Sequence, residues 1–282
     1  MSGYYGLPIV KPPVWTWEVP AYFFVGGTAG AAAVIAAVAR ASGAPGDLVR
    51  DARWIAAVGG ALSPPLLVSD LGRPERFLNM LRVFKLQSPM SVGAWTLVAF
   101  SSAASASAFA DAVCRVSGGG IATRIVGDAA GVLAAATGLV LSTYTGVLLG
   151  ATAIPVWTRH VRMLPIHFGV SSTGAAASLL ELAGHRDRSL HYLALGAAAV
   201  ECLLGPSFAS LPAREPGTAM EPIDGNRLVR AGGLLSGPIP LALRLIAGRS
   251  RSVRQIAALA AVAGSVLSRF GWIEAGRTSH VS

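Results

Sequence analysis

Apolar runs of about the length that crosses a bilayer recur along this chain, separated by short charged stretches, and that recurrence constrains the fold more than any other feature. A helix needs about 20 predominantly apolar residues to cross the hydrocarbon layer, where unpaired backbone groups are too costly for an open, irregular span. Eight runs qualify: Val19–Ala39, Trp54–Ser69, Ser91–Ala110, Gly127–Gly150, Met163–Ala183, Leu190–Phe208, Ala231–Ala247 and Gln255–Trp272. With 53% hydrophobic and 13% charged residues, a soluble domain of 282 residues would lack the polar side chains to clothe its surface. The expectation is an all-α integral membrane protein with eight transmembrane helices. The seventh is the weakest, because Pro238 and Pro240 kink it and Arg244 lies within it.

The formal charge of +9 does not point to nucleic acid. The arginines are scattered among inter-helix connections and form no basic stripe with interleaved aromatics, so they read as membrane-flanking anchors. Cys114 and Cys202 are far apart and form no Cys-x-x-Cys pair, so no metal or iron–sulfur site is expected here and any metal electron carrier belongs to a partner. Residues 1–14 hold one lysine and no twin arginine, so no cleaved targeting segment is expected. Gly26 with Gly30, and Gly146 with Gly150, have the spacing that lets helices approach closely. Lysine and arginine are nearly balanced between the connections of the two faces, which leaves absolute orientation open.

Alternating crossings give each intramembrane polar residue a side. Glu18 opens the first helix, Asp70 closes the second, Tyr144 lies inside the end of the fourth, and His167 is one turn into the fifth. Glu201 precedes the end of the sixth and Arg269 lies near the end of the eighth. All six fall towards the N-terminal face, which predicts a polar pocket opening there. Ionisable groups in hydrocarbon cost several kcal/mol unless paired or hydrated, so they mark sites by default. Blander readings stand beside this one. Groups near helix ends snorkel, Glu18 sits in an aromatic belt of Trp15, Trp17 and Tyr22, and His167 suits an ordinary helix contact. Glu201 is harder to dismiss, because the Leu195–Leu204 run around it is apolar. Axial ligation of haem by two histidines needs both at similar depth, and His167 and His191 start successive helices from opposite faces, so no haem is expected.

Several blocks carry a family likeness. They are Tyr4-Tyr5-Gly6-Leu7-Pro8, Pro13-Val14-Trp15-Thr16-Trp17-Glu18, Phe24-Val25-Gly26-Gly27, Asp70-Leu71-Gly72-Arg73-Pro74-Glu75-Arg76-Phe77 and Ser88-Pro89-Met90-Ser91-Val92-Gly93-Ala94-Trp95. Tyr144-Thr145-Gly146, Arg162-Met163-Leu164-Pro165 and Arg269 before Ala275-Gly276 continue the pattern. In this order they resemble the NrfD-like family of polysulfide reductase membrane subunits, over almost the whole chain and more weakly beyond residue 184. The resemblance implies two four-helix bundles, residues 1–150 and 151–282, and a quinone site near the face that docks a ferredoxin-like iron–sulfur subunit, itself joined to a molybdopterin catalytic subunit. It implies that Tyr144 hydrogen-bonds a quinone carbonyl and that the segment at Glu18 lines the same site. His167 departs from the pattern, which usually has an apolar residue there.

The expected role is therefore that of a quinone-handling membrane subunit with no catalytic residue of its own, multi-pass in the plasma membrane. Glu18, Asp70, Arg73 and Tyr144 are candidates for binding menaquinone or ubiquinone, with the carboxylates as proton donors or acceptors. Glu201, Arg269 and His167 are proton-relay candidates, with Glu201 and Arg269 as a buried pair. The basic connection with Arg76, Arg82 and Lys85 is expected to dock an acidic partner surface, and Asp70 and Arg73 are spaced to pair locally. Two other classes compete, a membrane anchor without its own quinone site and a secondary transporter. No repeat relates residues 1–140 to 141–282, which weighs against transport.

Overall fold

A computed structural model describes residues 15–70, 75, 79, 81–209, 225–246 and 250–278, and every regular element longer than one turn among these is an α-helix. In chain order they are α1 (Glu18–Ala41), α2 (Gly46–Ser69), α3 (Pro89–Ser117), α4 (Ile121–Gly150), α5 (Pro155–Arg159), α6 (Met163–Leu182), α7 (Arg188–Ala209), α8 (Gly225–Ser236), α9 (Pro238–Ile246) and α10 (Arg251–Thr278). Among the described residues, five segments are long and apolar enough to cross a membrane: α1, α3, α4, the α8–α9 pair and α10. The other three expected runs fall on α2, α6 and α7. The core is largely apolar, but polar groups are buried within it and large apolar side chains face outward. Val132, Leu133, Leu139, Ile256 and Leu259 are exposed, whereas Ser172, Ser178, Glu201 and Arg269 are buried. Such a surface is natural only against lipid.

The expected boundaries need correction at three places. The seventh run is two helices, broken at Gly237, because Pro238 and Pro240 withhold the N–H groups owed to the carbonyls four residues earlier. Gly237 packs against Glu201, where a Cβ would come within 3.2 Å of the Glu201 Cβ. α2 begins at Gly46, ahead of its apolar run, and its first turns carry Asp47, Arg50, Asp51 and Arg53. The short helix α5 was not foreseen, although Pro155 at its first position fixes a helical φ and gives up a donor that has no partner there anyway.

Helix order in space follows from contacts. α1 packs on α2, α2 on α3, α3 on α4 and α4 on α1, which closes one ring. α6 packs on α7, α7 on α8 and α9, α8 on α10 and α10 on α6, which closes a second. α6 also lies against α1 and α4. A close crossing joins α1 to α4, where a Cβ on Gly30 would collide with the backbone of Gly138. Gly146 similarly meets the backbone of Leu164, which a Cβ would approach to 2.6 Å.

Pro64 and Pro65 lie within α2 without ending it. Pro64 cannot donate to the carbonyl of Gly60, and the Ser101 hydroxyl of α3 donates to that oxygen instead, at 2.7 Å. A neighbouring helix thus supplies the bond that proline withholds, as membrane helices require. Ser101→Ala leaves that carbonyl short of a donor, and we expect a loss of about 1–2 kcal/mol in folding stability, measured by denaturant titration in detergent.

Candidate functional site

Three of the recognised sequence blocks do identifiable structural work at the N-terminal face. Trp15 stacks on Trp157 of α5 with ring centroids 5.5 Å apart, and its carbonyl accepts from Arg277 of α10. Next to it, Thr16 ties α1 to α2. Its backbone N–H donates to Asp70 Oδ1 at 2.9 Å, its hydroxyl lies 2.7 Å from the same oxygen, and that hydroxyl also contacts Glu18 Oε2. Two carboxylates therefore converge on one hydroxyl where α1 begins and α2 ends. The Ser-Pro-Met-Ser block is the start of α3: Ser88 caps it by accepting from the Ser91 N–H at 3.4 Å, with Pro89 at its first position.

Pro89 also holds Tyr144. The Tyr144 hydroxyl donates to the Pro89 carbonyl at 2.6 Å, and the ring lies so close over Gly93 that any Cβ there would collide with it. A phenol has one proton to donate, so this hydroxyl is already committed to α3.

A second cluster occupies the other ring. His167 Nδ1 of α6 lies 2.9 Å and 3.0 Å from the two carboxylate oxygens of Glu201 on α7, and both side chains are almost wholly buried. Ser236, the last residue of α8 before the break, donates to the same carboxylate at 3.3 Å. Arg269 is completely buried. Its Nη2 donates to the Phe168 carbonyl at 2.8 Å and to the Ser172 hydroxyl at 3.0 Å, and its guanidinium lies 3.8 Å over the Phe168 ring. Its Nε and Nη1 have no hydrogen-bond partner among the described residues.

The polar residues predicted for the N-terminal face thus form separate groups. Glu18 meets Asp70, His167 meets Glu201, and Tyr144 is held apart on Pro89. The expected Glu201–Arg269 pair is not formed among the described residues. Helix rotation gives Glu201 the imidazole on α6 and turns Arg269 onto the backbone and ring of Phe168. Arg73 and Arg76 lie outside the described residues, and with them the Asp70–Arg73 pair. Arg82 and Lys85 are described and exposed, on a connection that also exposes Val83, Phe84 and Leu86.

Sequence reasoning missed a third group, at the opposite face. Arg53 is buried and bridges Asp111 of α3 at 2.6 Å and Asp128 of α4 at 2.7 Å, while Arg40 of α1 pairs with Asp128 at 2.9 Å. In the other ring, buried Arg244 of α9 pairs with Glu181 of α6 at 2.6 Å and donates to Ser178 at 3.1 Å. The signal was available. The end of α1, the start of α2, the end of α3 and the start of α4 must share one face, and each brings a charge that a neighbour complements.

A family model described as polysulfide reductase, of the NrfD type, matches residues 1–282, the whole chain. No protein of curated function matches it. With apolar helices suited to crossing a bilayer and the match running end to end, this chain is a multi-pass membrane protein that belongs to the NrfD polysulfide reductase family, whose members are membrane subunits of oxidoreductases and work with other subunits.

Proposed function

We propose that this chain is the quinone-handling subunit of an oxidoreductase in the plasma membrane, with eight spans grouped as two four-helix bundles, residues 1–150 and 151–282. It exchanges electrons between menaquinone or ubiquinone and a ferredoxin-like iron–sulfur subunit linked to a molybdopterin catalytic subunit. The observation that carries this reading is the bridge of Thr16 between Glu18 and Asp70, which gathers two carboxylates on one hydroxyl at the face where α1 begins. A quinone takes up or releases protons as it changes redox state, and this chain supplies groups that exchange them within hydrogen-bond reach of one another. Glu18 and Asp70 hold or give up a proton, with Thr16 between them. Tyr144 offers its hydroxyl once a quinone oxygen replaces the Pro89 carbonyl as acceptor, and Arg73 follows Asp70 on the same connection. In the second ring Glu201, His167 and Arg269 form a buried set suited to moving protons away from that face.

The Tyr144–Pro89 bond favours a second reading, in which Tyr144 is a packing residue and the chain is an anchor without its own quinone site. Affinity purification of the tagged chain in mild detergent, with identification of co-purifying proteins and extraction of bound quinone, separates the two. An iron–sulfur subunit, a molybdopterin subunit and bound quinone support the proposal. The subunits without quinone, and without quinone-dependent turnover, support the anchor. A solitary chain with neither sinks the electron-transfer reading and favours transport.

The exposed connection carrying Arg82 and Lys85 is the docking segment in this account, because it combines basic charge with apolar Val83, Phe84 and Leu86 outside the hydrocarbon. Arg82→Glu with Lys85→Glu is expected to weaken co-purification of the iron–sulfur subunit about tenfold or more at low salt, with a smaller effect at high salt. Unchanged recovery would remove this segment from the interface.

A further inference from the structure

Away from the N-terminal face, the connection between α6 and α7 and the first turn of α10 enclose a small hollow lined by Glu181, Gly184, His185, Arg186, Arg251, Arg254 and Gln255. Its polar groups divide into two sets. Glu181 is taken up by Arg244 at 2.6 Å, and His185 Nε2 by Asp51 at 2.9 Å. The guanidinium groups of Arg186, Arg251 and Arg254 have no ion pair or hydrogen bond with any described residue, and Gln255 brings a further amide donor to the same space. Three unpartnered guanidinium groups converging on a hollow whose carboxylate is already neutralised make an anion site, and guanidinium forks match phosphate oxygens well.

Depth identifies the source of the anion. The hollow lies where α6 ends and α10 begins, at the level where a spanning helix leaves the hydrocarbon for the headgroups. Arg251, Gln255 and Leu259 fall four residues apart on one stripe of α10, so that stripe turns from basic to apolar within about two turns. Leu259 and its neighbour Ile256 are both exposed, which offers acyl chains an apolar surface directly below the arginines. We infer that this hollow binds the phosphate of an anionic phospholipid whose chains lie along Ile256 and Leu259. The site is on the opposite face from Glu18, Asp70 and Tyr144, and it does not depend on the quinone reading.

The full chain, purified with its co-purifying subunits and stripped of lipid, is incubated with dioleoyl phosphatidylglycerol or dioleoyl phosphatidylcholine, and retained lipid is counted by native mass spectrometry. The two probes have the same chains and differ in headgroup charge. Preferential retention of one phosphatidylglycerol is expected, falling about fivefold for each of Arg186→Gln, Arg251→Gln and Arg254→Gln. Arg188→Gln, at the first position of α7 and outside the hollow, leaves retention unchanged. Equal retention of the two lipids by the unmodified protein overturns the inference whatever the variants do. Displacement of the lipid by millimolar inorganic phosphate also overturns it, because the site then takes free phosphate.

Discussion

His167→Leu is expected to destabilise the protein by about 3–5 kcal/mol, because it leaves the buried Glu201 carboxylate, among the described residues, with a single hydrogen bond, from Ser236 at 3.3 Å. Removing one member of a buried pair exposes the survivor's full desolvation cost. Removing both exchanges them for hydrocarbon, so His167→Leu combined with Glu201→Leu should recover most of the loss. Thermal unfolding in detergent measures both variants. The double variant also separates structure from proton transfer. If it recovers stability and loses quinone-linked turnover, the pair moves protons. If it recovers both, the pair serves packing alone and the relay role is wrong.

Tyr144→Phe is the second large effect. The ring is fixed over Gly93 by a close contact that phenylalanine reproduces, so the substitution changes the hydroxyl and little else. Loss of the bond to Pro89 alone should cost about 1 kcal/mol in stability, since the Pro89 carbonyl sits in the first turn of α3, where a helical N–H also reaches it. If the hydroxyl switches to a quinone oxygen during turnover, quinone affinity should fall about tenfold as well, the equivalent of one hydrogen bond of about 1.4 kcal/mol. A fall in stability with unchanged quinone affinity would assign Tyr144 to packing.

The helices were legible because bilayer thickness acts on each run separately. Seven of the eight expected runs fall on one helix each and the run with Pro238 and Pro240 falls on two, and the chain needs no tertiary information to announce where those helices lie. The break at Gly237 was half legible. Pro238 and Pro240 predicted a kink, but the packing of Gly237 against Glu201 depends on how α7 is rotated. The same limit governed the site. Glu18 and Asp70 were assigned to one face from alternation alone, yet Thr16, whose hydroxyl joins them, was read only as part of a recognised block. Glu201, His167 and Arg269 were each singled out, but which two pair is fixed by helix rotation, and rotation is set by contacts such as Gly30 on Gly138. The pairing of the charges at the opposite face is not legible in the sequence, because an arginine at a helix end suits lipid headgroups equally well. Arg53 is instead folded inward between two aspartates, since burial in the bundle repays a guanidinium only when its charge is matched.

The proposed quinone site rests on the Glu18–Thr16–Asp70 bridge. Its most direct test is equilibrium binding of a short-chain quinone to the purified chain and to Asp70→Asn, followed from pH 5 to 8. Saturable binding to the unmodified protein is expected, weakened about tenfold in Asp70→Asn while the fold is kept. Binding of equal strength in the two proteins would contradict it.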